Sequence, residues 1–216
     1  MNPSAPIEKR ILLLRHAETA APHVFHGAES DVGLSPRGFE QAKAVAERIK
    51  AVSPDVIYST GLKRADETAR TIAAICTRPH KIHPGLHERR MGSLSGRSRT
   101  EGWPVYEQAK DHWKAGRLDF THEGGESFAE MRLRSSAAFR ELLDGESGRT
   151  IVLVAHGVIN RVLIASLAES YTYADFDRIP IDFVGVHDLR WIDRKLRSAE
   201  YWPGDPPPPL DTGRAW

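Results

Sequence analysis

The chain has 216 residues, 40% hydrophobic and 27% charged, the balance of a globular protein large enough for one well-formed core, and one domain is the economical reading. A formal charge of +1 supplies no strongly basic surface, so neither nucleic acid nor a membrane is expected as a partner. The single Cys76 excludes an intrachain disulfide, residues 1–10 lack the apolar core of a signal peptide, and no apolar run approaches the roughly 18 residues that span a bilayer, so a soluble, cytoplasmic protein is expected.

In chain order, residues 9–14 read as a buried strand. A polar loop leads to Leu34-Ser35-Pro36-Arg37-Gly38, where Ser35 has the chemistry of an N-cap and Pro36 suits the first helical turn. A helix is expected over 36–52, because Ala42, Val45, Ala46 and Ile49 recur at helical spacing and Ser53-Pro54 ends the pattern before a short strand at 56–58. Residues 62–76 read as a second helix, in which Cys76 is a packing residue, and 81–83 as a short strand closed by Pro84-Gly85. Glu88 then falls in a loop.

Residues 92–126 mix glycines and charges with Trp103, Tyr106 and Trp113; a helix over 104–115 fits, and the insert is suited to a lid or a substrate wall. The clearest amphipathic helix covers 127–143, with Gly145 and Gly148 breaking it before a strand at 150–155. A helix at 158–168 and strands at 184–189 and 196–201 follow. Residues 203–209 hold too much proline for a helix or a central strand, which predicts a single domain over 1–202 and an extended, peripheral tail over 203–216. The alternation of strands and helices predicts an α/β fold, a three-layer α/β/α sandwich with a mainly parallel central sheet.

Two of the strands end in a histidine motif: Ile11-Leu12-Leu13-Leu14-Arg15-His16-Ala17-Glu18-Thr19 and Ile151-Val152-Leu153-Val154-Ala155-His156-Gly157. An open α/β sheet presents reactive side chains at its carboxyl edge, so two such strand ends would bring His16 and His156 together. Between them lie Arg64, in Ser59-Thr60-Gly61-Leu62-Lys63-Arg64-Ala65-Asp66-Glu67-Thr68-Ala69, and Glu88, in Leu86-His87-Glu88-Arg89. Four motifs in this order resemble the histidine phosphatase superfamily, which contains cofactor-dependent phosphoglycerate mutases and many small phosphatases; the resemblance runs from about Ile11 to about Arg161.

The chemistry of the residues agrees with the resemblance. A phosphomonoester carries about two negative charges near pH 7 and several acceptor oxygens, which planar, multidentate guanidinium groups such as Arg15 and Arg64 suit better than lysine does. A neutral imidazole, with an ordinary pKa of about 6.5, is a nucleophile available without strong base. The resemblance implies that His16 takes this role through a phosphohistidine, that Arg15, Arg64 and His156 stabilise the transferring group, and that Glu88 moves the proton. Thr19 either donates to the phosphate, as the matching family position implies, or caps a turn, and Glu18 is the second candidate for proton transfer. Such chemistry requires no metal and no cofactor; the expected partner is a small phosphate ester, and a homodimer is left open.

Taken singly, each residue has a plainer role: Arg64 as a solvated helix charge near Asp66, Glu67 and Arg70, Glu88 as a loop charge, Gly125 and Gly157 as turn residues. Trp103, Tyr106, Trp113, Arg90 and Met91 are suited to the substrate side, although such aromatic residues and methionine usually pack a core. The chain also departs from the family pattern. Ala17 stands where Gly is common, Ala20-Ala21-Pro22 lacks a frequent Asn and leaves His23 or His26 as substitutes, and Val158 replaces a frequent second Gly.

These departures bear on substrate identity, for which sugar phosphates, phosphoglycerate derivatives, nucleotide-like phosphates and α-ribazole phosphate are candidates by analogy. The segment between Glu88 and Gly124-Gly125-Glu126-Ser127 is shorter than in the glycolytic mutases, which favours a phosphatase over mutase-type transfer. Two other readings compete: a metal site on His80, His83 and His87, and a noncatalytic phospho-ligand binding module. The proline tail with Trp216 is a further candidate for contact with a partner.

Overall fold

The computed structural model describes residues 8–207. Six strands form one sheet: β1 (Lys9–Arg15), β2 (Val56–Ser59), β3 (His80–Ile82), β4 (Thr150–Ala155), β5 (Val186–Ile192) and β6 (Lys195–Trp202), in the spatial order β3-β2-β4-β1-β5-β6. The first four run parallel, and β5 and β6 add antiparallel pairings at one side, so the sheet is mainly parallel as expected.

Among the described residues there are five α-helices, α1 (Pro36–Lys50), α2 (Lys63–Cys76), α3 (Arg99–Lys114), α4 (Phe128–Gly145) and α5 (Gly157–Leu167). Alternate residues of the central strands divide between two cores, because successive side chains of a strand point to opposite faces. Ile11, Leu13, Ile151 and Leu153 pack with Phe139, Leu142, Ile159 and Leu163 of α4 and α5; Leu12, Leu14, Val152 and Val154 pack with Val45, Ile49, Ala69 and Ile72 of α1 and α2. This is the three-layer α/β/α sandwich. Both faces of β1 and β4 are buried, which is why their sequences are nearly unbroken apolar runs. Among the described residues no helix is long and apolar enough to cross a membrane.

Local signals account for most boundaries. Ser35 caps α1 by accepting from the Gly38 amide at 2.9 Å, with Pro36 in the first turn. Gly38 is required there: a Cβ would collide with the Glu18 carbonyl oxygen, so the helix start can lie against the loop that follows His16. Ser127 and Glu130 form a capping box at α4.

Helix α3 begins at Arg99, five residues before the expected start, because Ser98 accepts from the Glu101 amide and makes the cap; Pro104 lies inside the helix rather than opening it. The strand expected at 184–189 begins at Val186, after a turn in which Val184 has a φ of 52°. The tail expected at the periphery is tied inward over its described part. Phe183 and Asp205 exchange backbone hydrogen bonds of 2.8 and 3.0 Å, and Pro207 is buried. Trp216 lies outside the described residues.

Candidate active site

Strands β1 and β4 are neighbours in register, Arg15 opposite Ala155, so the next residue of each, His16 and His156, emerges at the same carboxyl edge. The His16 amide donates to the Ala155 carbonyl at 3.0 Å, and the two ring centres are 5.3 Å apart. The helices that follow β1 and β4 lie on opposite faces of the sheet, which opens a crevice at this point.

Both imidazoles are almost wholly buried. Burial, reinforced by the Arg64 and Arg15 charges, holds each well below the usual imidazole value, so both rings are neutral near pH 7. Nδ1 of His16 lies 2.7 Å from the Ala17 carbonyl oxygen, which only accepts, so Nδ1 carries the proton and Nε2 keeps its lone pair. A neutral ring with a fixed tautomer is what nucleophilic attack on phosphorus requires.

Arg15 stacks on Phe183, its guanidinium carbon 4.1 Å from the ring centre, and donates through Nη1 to the Ile181 carbonyl at 3.0 Å. Arg64, at the start of α2, is wholly buried and donates to the carbonyls of Ser30 and Gly27, each at 3.0 Å, so it also anchors the 20–35 loop. Burial pushes both arginines down to about 10, which leaves them cationic. The buried Nε of each, and Nδ1 of His156, have no hydrogen-bond partner within the protein. Three unsatisfied polar nitrogens around one strand edge suit an incoming oxyanion.

Glu88 is held by main chain. Its Oε1 accepts from the amides of Arg89 (2.8 Å) and Ile159 (3.1 Å), and its Oε2 from Val158 (3.1 Å), at the amino end of α5. The loop that carries it is fixed by Arg134, which pairs bidentately with Glu126 (2.6 and 2.9 Å) and donates to the carbonyls of Gly85, His87 and Glu88. Neither Arg134 nor Glu126 was singled out by sequence reasoning; an i,i+8 pair across a helix cap leaves no local pattern.

A cavity of about 100 Å³ opens at this edge. Arg15, His16, Thr19, Glu88 and Gly157 line it, while Arg64 and His156 stand behind the lining. Phe25, Trp103 and Tyr106 pack together as one wall, with ring centres 5.4 to 6.4 Å apart. The insert thus forms a wall of the cavity, built on α3, and Met91 joins it, whereas Trp113 is buried in the main core and Arg90 reaches outward to Glu130. His26 lines the cavity and His23 does not. Glu18 is turned away, accepting from the Ser35 hydroxyl at 2.7 Å.

Sequence reasoning missed Arg99, Lys110, Arg161, Phe183 and Pro207, which also line the cavity. Arg99 stands out, pushed down to about 8 by burial and by the neighbouring Arg15.

His80 contacts Ser59 at 2.9 Å and His87 the Glu88 carbonyl at 2.7 Å, so the histidines at 80, 83 and 87 do not converge. Among the described residues no group of three His, Cys, Asp or Glu side chains is arranged to hold a metal ion.

The geometry agrees with three comparisons. The chain is 34% identical over 188 residues to a metal-independent phosphoserine phosphatase of Arabidopsis thaliana, covering 84% of this chain and 78% of that protein. It is 35% identical over 158 residues to the phosphoglycerate mutase-like protein 4 of the same plant, covering 71% of this chain and 68% of that one. Its fold matches a mycobacterial glucosyl-3-phosphoglycerate phosphatase bound to VO3 with a TM-score of 0.76 at 26% identity, over 91% of this chain and all of the other. Residues 11–202 match the model of the histidine phosphatase superfamily, branch 1; the chain belongs to that family and is a histidine phosphatase.

Proposed function

We propose that the chain hydrolyses a small phosphorylated metabolite through a phosphohistidine on His16. The observation that carries this reading is the Nδ1 hydrogen bond of His16 to the Ala17 carbonyl, which leaves a neutral ring with its Nε2 lone pair at the cavity. In the first transfer Nε2 attacks phosphorus, the ester P–O bond breaks, and the departing oxygen takes the proton of the Glu88 carboxylic acid, leaving its carboxylate. In the second, water attacks phosphorus, Glu88 accepts its proton, and the P–N bond returns its electron pair to Nε2 as phosphate forms. Arg15, Arg64 and His156 face the charge that spreads over the equatorial oxygens, and Thr19 adds a hydroxyl.

Substrates with a second anionic group suit the cavity best, because Arg99, Lys110 and Arg161 line it in addition to Arg15. The relative named for phosphoserine makes O-phosphoserine the first substrate to assay, with phosphoglycerates beside it.

The test is hydrolysis of an aryl phosphate and a metabolite panel by wild type and His16→Ala, with chelator present and acid-labile protein phosphate assayed in parallel. Chelator-resistant turnover and a labile phosphoenzyme, both lost in the variant, are expected. Activity surviving in His16→Ala rejects the nucleophile. Isomerisation of a phosphoglycerate without phosphate release favours mutase-type transfer, and phosphate binding with no turnover favours a binding module.

A further inference from the structure

A third strand end reaches the site. Strand β2 pairs with β4, Ser59 opposite Val154, so the next residue, Thr60, stands at the same carboxyl edge. Its Oγ1 lies 2.8 Å from Nε2 of His156, and both residues are buried. Among the described residues this is the only hydrogen bond of the Thr60 hydroxyl.

The ring of His156 is neutral, so one nitrogen carries a proton and the other a lone pair. If Nε2 donated to Thr60, the threonine O–H would be buried without an acceptor, and Nδ1 would keep a buried, unpaired lone pair beside the His16 ring. If Thr60 donates to Nε2, the hydroxyl is satisfied and the only group left over is an Nδ1–H, a donor that a phosphoryl oxygen satisfies. The first arrangement leaves two buried groups unpaired, the second leaves one.

We infer that Thr60 is a positioning residue that fixes His156 in the Nδ1–H tautomer, so that the neutral ring donates a hydrogen bond to the transferring phosphoryl group. The inference rests on the proposed role of His156 at the phosphate. It gives a neutral histidine a defined direction: hydroxyl to Nε2, Nδ1–H to phosphoryl oxygen. A site with two cationic arginines beside it does not need an imidazolium for this, and their charges oppose one.

Nitrogen-15 NMR of the histidine side chains, assigned through His156→Gln, reads the tautomer in the wild type without any assay of turnover. Nδ1 of His156 should appear protonated and Nε2 as the acceptor, and adding inorganic phosphate or vanadate should move the Nδ1–H resonance. A protonated Nε2 in the wild type overturns the inference.

In kinetics, Thr60→Ser keeps the hydroxyl and should stay within about threefold of wild type. Thr60→Val keeps the shape and should lose about 10- to 100-fold in kcat with KM little changed, together with a mixed tautomer at His156. A well-folded Thr60→Val with full kcat also overturns it. If the wild type shows the expected tautomer and the phosphate-dependent shift but turns over no ester, the positioning role stands and the proposed hydrolysis falls.

Discussion

The carboxyl edge of β1, β2 and β4 and the wall opposite it are built by different means. At the edge, side chains are placed by main chain: His16 and His156 follow from strand register, the His16 tautomer from a backbone carbonyl, and the Glu88 carboxylate from three backbone amides. The wall is placed by long-range side-chain ties. Lys110 reaches Asp177 at 2.8 Å, Arg37 and Gln41 hold Asp205, and Arg89 ties the 88–91 segment to Glu126 and Thr121. The proposed chemistry therefore rests on the part that sequence changes disturb least, and the proposed recognition on the part that they can retune.

Variants should separate the two regions. His16→Ala is expected to lower kcat by on the order of 10⁴-fold or more and abolish the acid-labile phosphoenzyme, measured by single-turnover labelling. Arg15→Lys keeps the charge but loses the planar fork, and should cost about 10²- to 10³-fold in kcat/KM for every ester alike. Arg134→Met strands the buried Glu126 carboxylate and should reduce unfolding free energy by about 3 kcal/mol in urea denaturation.

At the wall the effect should be smaller and selective. Lys110→Met should raise KM for O-phosphoserine about 10-fold while leaving an aryl phosphate within about threefold, and equal losses on both would erase the distinction between edge and wall.

The mildest effect is on pH dependence. His16 and His156 are buried neutral, with values lowered below the ordinary 6.5, so the unfolded chain binds more protons and stability falls as pH drops below about 6.5. Thermal melts from pH 7 to pH 5 should show Tm falling. The loss should lessen when His156 is replaced by Gln.

The same division sets what could be read in the sequence. Strand ends followed by histidine are local, and the alternating cores of β1 and β4 follow from apolar runs, so the fold and the His16 and His156 pair were legible from spacing. Arg64 and Glu88 were not: each sits among other charges, and only the order of motifs pointed to them. Thr60 lies inside a segment already noticed, yet nothing in its neighbourhood distinguishes a hydroxyl aimed at His156 from one that ends a strand. Pro104 misled because proline marks a helix start more often than it sits within one, and the better signal was Ser98 with Glu101 three residues on. The wall was least legible: Trp103, Tyr106 and Met91 could be proposed from the sequence, but Phe25, Arg99, Arg161, Phe183 and Pro207 join them only once the chain has folded.

The lodging of Glu88 against backbone amides also explains how the chain tolerates Val158 where its family often has glycine. An amide donor belongs to every residue type but proline, so the position of the Glu88 carboxylate does not depend on which other side chain stands at 158. The side chain there lines the cavity and packs against the cluster of Phe25, Met91, Trp103 and Tyr106. One position thus holds the Glu88 carboxylate through its N–H and shapes the cavity through its side chain, and a change in the second leaves the first in place.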